Sequence, residues 1–207
     1  NDPDDPNSLV TDDVTNIEVA ADGNLWITTY WHGIDYFDKQ TRQFTHYNTG
    51  TVTGLGSDHT WAVADGGDGM LYIGHVHEGF SILSVKDRKA KHFMHDPNDP
   101  NSLPGNSVKC VYRDSNGNIW LGTDNGLALY NPEACNFISF SDNGNLASHQ
   151  VYDIRQIEGN KLWVAVEFGG IAVLDLAQRM FLLPEQVRFQ HIKEGDDNYS
   201  LSNPSVR

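Results

Sequence analysis

Short hydrophobic runs alternate with clusters of glycine, asparagine and aspartate along the whole chain. In the clearest stretch the runs are rich in β-branched and aromatic side chains, which predicts β-strands, and the polar clusters between them predict tight turns. Four such strands in succession favour a small antiparallel sheet. The four predicted strands of this stretch are Ser107–Tyr112, Ile119–Thr123, Leu127–Tyr130 and Phe137–Phe140.

The same pattern returns in register with a leucine that occurs five times. A valine or threonine stands five residues after each leucine, and a tryptophan or tyrosine stands seventeen residues after the first four. The leucines are roughly 43 to 55 residues apart, and a period of about 40 to 50 residues built from short strands is typical of a β-propeller blade. The five leucines are Leu9, Leu55, Leu103, Leu146 and Leu201.

The repeat predicts an all-β fold, a β-propeller fragment of about four four-stranded antiparallel blades. For the last strand of the fourth blade the sequence leaves two candidates, Met180–Leu183 and Val187–His191, and we favour the second, with an insertion before it. Leu201 would begin a further blade, so we expect the chain to be part of a larger propeller. The expected blades span residues 9–54, 55–102, 103–145 and 146–200, with residues 201–207 starting the next one.

Composition limits the classes of binding partner and the chance of a disulfide bond. The formal net charge of −14 argues against nucleic acid and against an anionic membrane surface, because both bind basic proteins. No apolar run approaches the roughly 20 residues of a membrane span. The two cysteines, Cys110 and Cys135, fall on the first predicted strand and just before the last strand of one blade. At least two strand spacings of about 4.8 Å would separate them, which argues against a disulfide.

One motif links the repeats to a known family. Gly117–Leu127 reads GNIWLGTDNGL and resembles the two-component regulator propeller repeat, whose hallmark is GNLWIGTxxGL. Gly23–Thr29 matches this hallmark well, and Met70–Gly74 and Asn160–Ala165 match it in part. The linkers DPDDPNSL and DPNDPNSL, which precede the first and third blades, are also similar to those of the family.

The resemblance carries expectations about function. It implies that the chain is part of a seven-bladed propeller in the extracytoplasmic, periplasmic sensor of a hybrid two-component histidine kinase. Such sensors usually continue into a sandwich domain, a membrane helix and a kinase, and many are implicated in detecting oligosaccharides released from complex glycans. The partners implied are an oligosaccharide or other small ligand and the remaining blades and sandwich domain of the parent protein.

The candidate ligand site follows from strand direction. Linkers that enter a first strand and loops that join the second and third strands should share one edge, which rims a mouth of the central channel. Aromatic rings beside carboxylates, amides and imidazoles suit a sugar, since rings stack on C–H groups and polar groups bind hydroxyls. Trp31 and Phe168 are the strongest candidates; Trp61 lies inside a strand, where a core position is the alternative. The candidate ligand-binding residues are Tyr30, Trp31, His32, His59, His75, His77, Glu78, Asp124, Asn125, His149, Tyr152, Glu167 and Phe168.

Metal binding and catalysis are the competing interpretations of this edge. His75 and His77 alternate along a strand and could share one face, but a turn follows and no third ligand is defined, so we expect no metal and no cofactor. No nucleophile or paired acid and base is evident, so we expect no catalytic residue. The alternative is a lyase or glycoside-active enzyme in which His32, His77, Glu78 or Glu167 acts as acid or base. A third alternative is an interaction scaffold that self-associates through exposed blade faces.

Overall fold

Four antiparallel sheets make up the protein. The computed structural model describes residues 1–140, 146, 150–157, 159–177, 187–192, 195 and 201. Within these residues there are sixteen strands, grouped by sequence order into four sheets of four strands, and no helix. The predicted all-β architecture of four four-stranded antiparallel blades is therefore confirmed.

Each blade is a meander in which consecutive strands pair. The first blade contains β1 (Val14–Val19), β2 (Leu25–Thr29), β3 (Ile34–Asp38) and β4 (Gln43–Tyr47). The second contains β5 (Thr60–Asp65), β6 (Met70–His75), β7 (Phe80–Ser84) and β8 (Lys89–Phe93).

The third and fourth blades repeat this order. The third contains β9 (Val108–Arg113), β10 (Ile119–Thr123), β11 (Gly126–Asn131) and β12 (Asn136–Ser139). The fourth contains β13 (Val151–Ile157), β14 (Lys161–Val166), β15 (Gly170–Asp175) and β16 (Phe189–Ile192). The last strand thus falls in the favoured candidate, whereas Met180–Leu183 lies outside the described residues.

The blades are arranged side by side through their first strands. β1 contacts β5, β5 contacts β9, and β9 contacts β13, so the four first strands are innermost. They line a channel of about 420 Å³. This arrangement is that of a partial β-propeller, in which loops at one end of the blades meet around one channel mouth.

Apolar side chains fill the spaces between neighbouring blades. Trp26 of β2 and Ile34 of β3 share a core with Val63 and Leu71 of the second blade. Trp120 of β10 is fully buried in the core that joins the third and fourth blades. These tryptophans therefore have the structural role predicted from their repeat position, because a large aromatic ring buries much area for each residue ordered.

The cysteines are both free. Cys110 is buried and Cys135 is exposed, so the expectation of no disulfide is confirmed. Burial raises the pKa of the Cys110 thiol, which keeps it protonated and unreactive.

Candidate functional site

One backbone hydrogen bond, present in every blade, builds the candidate edge. The residue that follows the second strand donates its N–H to the carbonyl of the residue that precedes or opens the first strand. This bond ties each loop between second and third strands to the linker of the same blade, so both lie at one channel mouth, as strand direction predicts. The donor–acceptor pairs are Tyr30–Asp13, Val76–His59, Asp124–Ser107 and Glu167–Gln150, at 2.9 to 3.1 Å.

Neighbouring blades are also joined at this edge. Gly33 donates its N–H to the Asp58 carbonyl at 2.9 Å, and Gly79 donates to the Asn106 carbonyl at 2.7 Å. The buried Thr60 hydroxyl lies 2.9 Å from the Thr29 carbonyl and 2.7 Å from the Gly33 carbonyl. Because these bonds cross between blades, the loops are held in fixed positions, which preorganises the surface they present.

An aromatic cluster lies where the first and second blades meet. The ring centroids of Tyr30 and His59 are 6.0 Å apart with nearly parallel planes, and Trp31 packs edge-on against His59 at 3.3 Å. Tyr30 also contacts Trp31 at 5.2 Å and Trp61 at 6.1 Å. The structure therefore brings together three of the predicted site residues, and adds Trp61.

The exposed aromatic side chains are confined to this edge. Trp31 is 53% exposed, Trp61 41% and Phe168 70%, and every other tryptophan, phenylalanine or tyrosine among the described residues is buried or half-buried. Exposed aromatic rings that are collected on one face and held by a rigid scaffold indicate a binding surface, whereas scattered ones do not.

A β-bulge explains why Trp61 is not a core residue. In each blade the pairing of the innermost strand with the second strand skips one residue near the mouth. A bulge takes the skipped side chain out of the strand alternation and redirects it. The four residues at this position are Thr15, Trp61, Lys109 and Tyr152.

A carboxylate and two imidazole side chains lie beside the aromatic cluster. His59 Nδ1 lies 4.0 Å from Glu78 Oε1. The other carboxylate oxygen, Glu78 Oε2, is buried and has no hydrogen-bond partner among the described residues. His77 is exposed, and its Nδ1 lies 2.7 Å from the Ser107 hydroxyl of the third blade. An unsatisfied buried oxygen costs free energy, so a ligand hydroxyl that reaches it would gain a strong interaction.

His75 does not belong to the exposed surface. Its side chain is fully buried, with Nε2 2.8 Å from the Ser81 hydroxyl, which in turn lies 3.1 Å from His92 Nδ1. Burial, with a smaller effect from nearby His92, lowers the pKa of His75 to about 3. His75 is thus held by Ser81 inside its own blade, whereas His77 is held by Ser107 of the next blade, and the two do not form a shared metal face. No group of three or more potential metal-ligating residues occurs within the part of the chain that the structure describes.

The third-blade candidates shape the edge. Asp124 Oδ1 accepts the Ser107 N–H at 3.2 Å, and Asn125 Nδ2 donates to the Pro104 carbonyl at 2.9 Å. Both residues are exposed, and both brace the linker that enters the third blade. His32, in the first blade, is also exposed and donates its N–H to the Thr29 hydroxyl at 3.2 Å.

The fourth blade contributes a polar patch and one exposed ring. Tyr152 donates its hydroxyl to Glu167 Oε1 at 3.0 Å. Phe168 adopts a left-handed φ of 55°, and the matching residue of the second blade, His77, has φ 66°. Such conformations cost about 1–3 kcal/mol in non-glycine residues, and they concentrate at functional positions. His149, the remaining candidate, lies outside the described residues.

Lys109 is a site residue that the sequence does not predict, and for Trp61 the sequence leaves a core position open as the alternative. Both belong to the bulge position, which stands six residues after the recurring leucine in every blade. That offset combines threonine, tryptophan, lysine and tyrosine, whereas the preceding offset holds only valine and threonine. Variation at one fixed offset was the available signal.

Comparisons with known proteins agree with this architecture. Residues 102–125 match the family model of the two component regulator propeller. The extracellular domain of BT3049 from B. thetaiotaomicron, named as a hybrid two component system, superposes with a TM-score of 0.82 at 46% identity. The match covers 99% of this chain and 25% of that chain.

Two further relatives cover smaller parts. Histidine kinase P4 of Formosa agariphila is 32% identical over 88 residues, which is 39% of this chain and 6% of the kinase. The extracellular domain of BT4673 from B. thetaiotaomicron has a TM-score of 0.67 at 20% identity and covers 88% of this chain, a likeness of fold alone. The chain thus spans a quarter of the BT3049 domain and a small fraction of the kinase.

The blades and their shared mouth define the class as a partial β-propeller of the kind found in extracellular domains of two-component systems. The propeller-repeat match at residues 102–125 and the 46% identity to BT3049 over 99% of the chain make it similar, more narrowly, to the extracellular propeller of a hybrid two component system. In the residues that the structure describes, no helix is long and apolar enough to cross a bilayer.

Proposed function

We propose that the chain is a ligand-sensing segment of a periplasmic sensor domain, and that its channel mouth binds an oligosaccharide released from a complex glycan. The parent protein would be a hybrid histidine kinase that passes the binding signal across the membrane. The likeness to the extracellular domain of BT3049 and to histidine kinase P4 supports the parent class.

The observation that carries the ligand proposal is the convergence of exposed rings with an unsatisfied carboxylate. Trp31 and Trp61 both pack against Tyr30, Trp31 also meets His59, and Glu78, with its buried unpartnered oxygen, lies 4.0 Å from His59. Ring faces stack on the C–H groups of a pyranose, and carboxylates accept its hydroxyl protons. One sugar ring can meet both requirements at this position.

The placement of the acidic and imidazole groups favours binding over catalysis. Glu78 lies against His59, His77 against Ser107, and Glu167 against Tyr152. A general acid and a general base must act together on one bond, whereas Glu167 belongs to the fourth blade and His77 and Glu78 to the second, and His77 and Glu167 are each held by a hydroxyl group. The relatives BT3049 and histidine kinase P4, which are more than 30% identical to the chain where they match, are a hybrid two component system and a histidine kinase.

Titration of the chain with uncharged oligosaccharides tests the proposal. Isothermal calorimetry against cello-, manno-, xylo- and galacto-oligosaccharides should reveal binding to at least one series. Trp31→Ala should weaken that binding about tenfold or more, since removal of a stacked aromatic ring costs roughly 1–3 kcal/mol. The matched control is Ile157→Ala, which truncates another exposed apolar side chain at the end of β13, at the opposite edge of its blade.

Two outcomes would refute the proposal. One is the absence of binding to any charged or uncharged oligosaccharide by a chain whose circular dichroism and thermal melt show it folded. The other is binding that Trp31→Ala leaves unchanged, because the ligand would then lie elsewhere. Turnover of any of the sugars would instead support the enzymatic alternative.

A further inference from the structure

The four bulge residues are the part of the channel mouth that differs most in chemistry. Their positions are equivalent, one for each inner strand, and a bulge aims each side chain out of the strand alternation. The scaffold is therefore the same in all four blades while the side chain presented is a hydroxyl, an indole, an ammonium and a phenol. A repeated bulge with a different side chain in each blade is suited to a binding site whose specificity depends on that side chain. The four residues are Thr15, Trp61, Lys109 and Tyr152.

Three of the four meet at one pocket. Trp61, Lys109 and Tyr152 line a cavity of about 180 Å³ at the mouth, together with His77 and Ser107. The fully buried His75 also lines it, and its Nδ1 has no hydrogen-bond partner among the described residues. The volume equals that of about six water molecules of liquid, which is room for one sugar ring and not for several.

Lys109 supplies a positive charge that has no carboxylate partner among the residues that the structure describes. Its Nζ donates to the neutral Gln150 amide oxygen at 3.1 Å and lies 4.4 Å from the centroid of the Tyr152 ring. The residues that lie within 4.0 Å of a carboxylate as ion-pair partners in the described part of the chain are Asn1, His46, His59 and Arg155, and Lys109 is not among them. An ammonium with neutral partners keeps N–H donors available for an anion.

The other polar groups of the pocket are compatible with an anion. The Ser107 hydroxyl and His77 Nδ1 are joined at 2.7 Å, and because one proton lies in that bond, the neutral pair has one further donor for a ligand. The nearby carboxylate of Glu167 is held by the Tyr152 hydroxyl at 3.0 Å. In a chain of net charge −14, a negatively charged ligand needs a local cation of this kind to overcome the overall repulsion.

We propose that Lys109 binds an anionic substituent, a carboxylate or a sulfate, on a sugar ring that fills this pocket between Trp61 and Tyr152. The inference rests on the proposed function and narrows it to acidic oligosaccharides. Uncharged ends of the same ligand would extend toward Trp31 along the aromatic cluster.

A matched set of sugars tests the inference on the 207-residue chain. Calorimetry should compare oligogalacturonates, sulfated galactan oligosaccharides and uncharged galacto-oligosaccharides of equal length. At least one charged series should bind about tenfold or more tightly than the uncharged one, because hydrogen bonds to charged groups contribute more than neutral ones. The preference should shrink as salt increases from about 0.01 to 1 M, and the series that binds identifies carboxylate or sulfate as the group recognised.

Three variants assign the effect to Lys109. Lys109→Gln should remove the preference for the charged series, and Lys109→Arg should keep most of it. Lys86→Gln should leave the preference intact, because Lys86 is exposed and lies in the β7–β8 turn at the opposite edge of the blade. Thermal melts of all three check that the blades remain folded; if Lys109→Gln does not fold, the comparison of Lys109→Arg with wild type across the salt series decides.

The results that would overturn the anion inference differ from those that would overturn sugar binding at the channel mouth. Equal or weaker binding of both charged series in the wild type would overturn the anion inference, as would a charge preference that survives in Lys109→Gln. In either case, binding of an uncharged series that Trp31→Ala weakens would leave the mouth as a sugar site. Absence of binding to all three galactose-based series would overturn the inference, and the wider uncharged panel would then test the general proposal separately.

Discussion

Protonation of the unfolded chain at His75 should make the second blade unstable in mild acid. His75 is fully buried, and burial lowers its pKa from 6.5 to about 3. The unfolded chain gains a proton at this side chain as the pH falls below about 6.5, whereas the native protein gains it only near pH 3. The contribution is therefore fully present above pH 6.5 and is lost progressively as the pH falls toward 3.

The magnitude follows from the two pKa values. One pKa unit corresponds to about 1.4 kcal/mol, so at pH 5 the free energy of unfolding should be lower than at pH 7 by about 2 kcal/mol through this histidine alone. The same direction applies to His92, whose pKa is also lowered by burial. His46 has the opposite sign: burial lowers its pKa, but hydrogen bonds to Asp35 and to the Pro6 carbonyl raise it overall.

Urea unfolding at pH 7 and pH 5 measures the effect. The difference in unfolding free energy between the two pH values should be about 2 kcal/mol smaller in His75→Gln than in the wild type. His32→Gln, at an exposed histidine of the same edge, should keep the wild-type difference. A pH difference that is equal in His75→Gln and wild type would show that the native His75 accepts a proton in this range, and would refute the argument from burial.

Two further predictions concern the exposed apolar surface. Ile17 of β1 is 58% exposed, whereas its counterparts Val63, Val111 and Ile154 in the other blades are buried. Ile17→Thr should therefore reduce self-association of the chain, measured by light scattering. An unchanged distribution of molecular mass would argue against self-association through this face. Phe168→Gly should raise the free energy of unfolding by about 1 kcal/mol, because glycine adopts the φ of 55° without strain. The same substitution should weaken sugar binding, because it removes an exposed ring from the channel mouth. Loss of both stability and binding would show that the ring packs against the protein.

The position of the candidate edge was predictable from the sequence, whereas the side chains that it exposes were predictable only in part. The loops before Gly33, Gly79 and Gly170 lie at one mouth because antiparallel strands alternate direction, and counting strands is enough to find them. Which side chains face a ligand depends on neighbours from other blades. Trp61 is exposed through a bulge, and Lys109 meets Tyr152 across the boundary between the third and fourth blades.

The sequence by itself determined the strands, the turns and the repeat, because strand and turn preferences act over a few residues and the leucine register repeats them. Only the tertiary structure decided which polar side chains are buried and which are exposed. His75 and His77 are two residues apart, yet β6 ends between them and a left-handed backbone at His77 turns its ring outward. One histidine is therefore buried and neutral and the other exposed, since burial depends on side chains that are distant in the sequence.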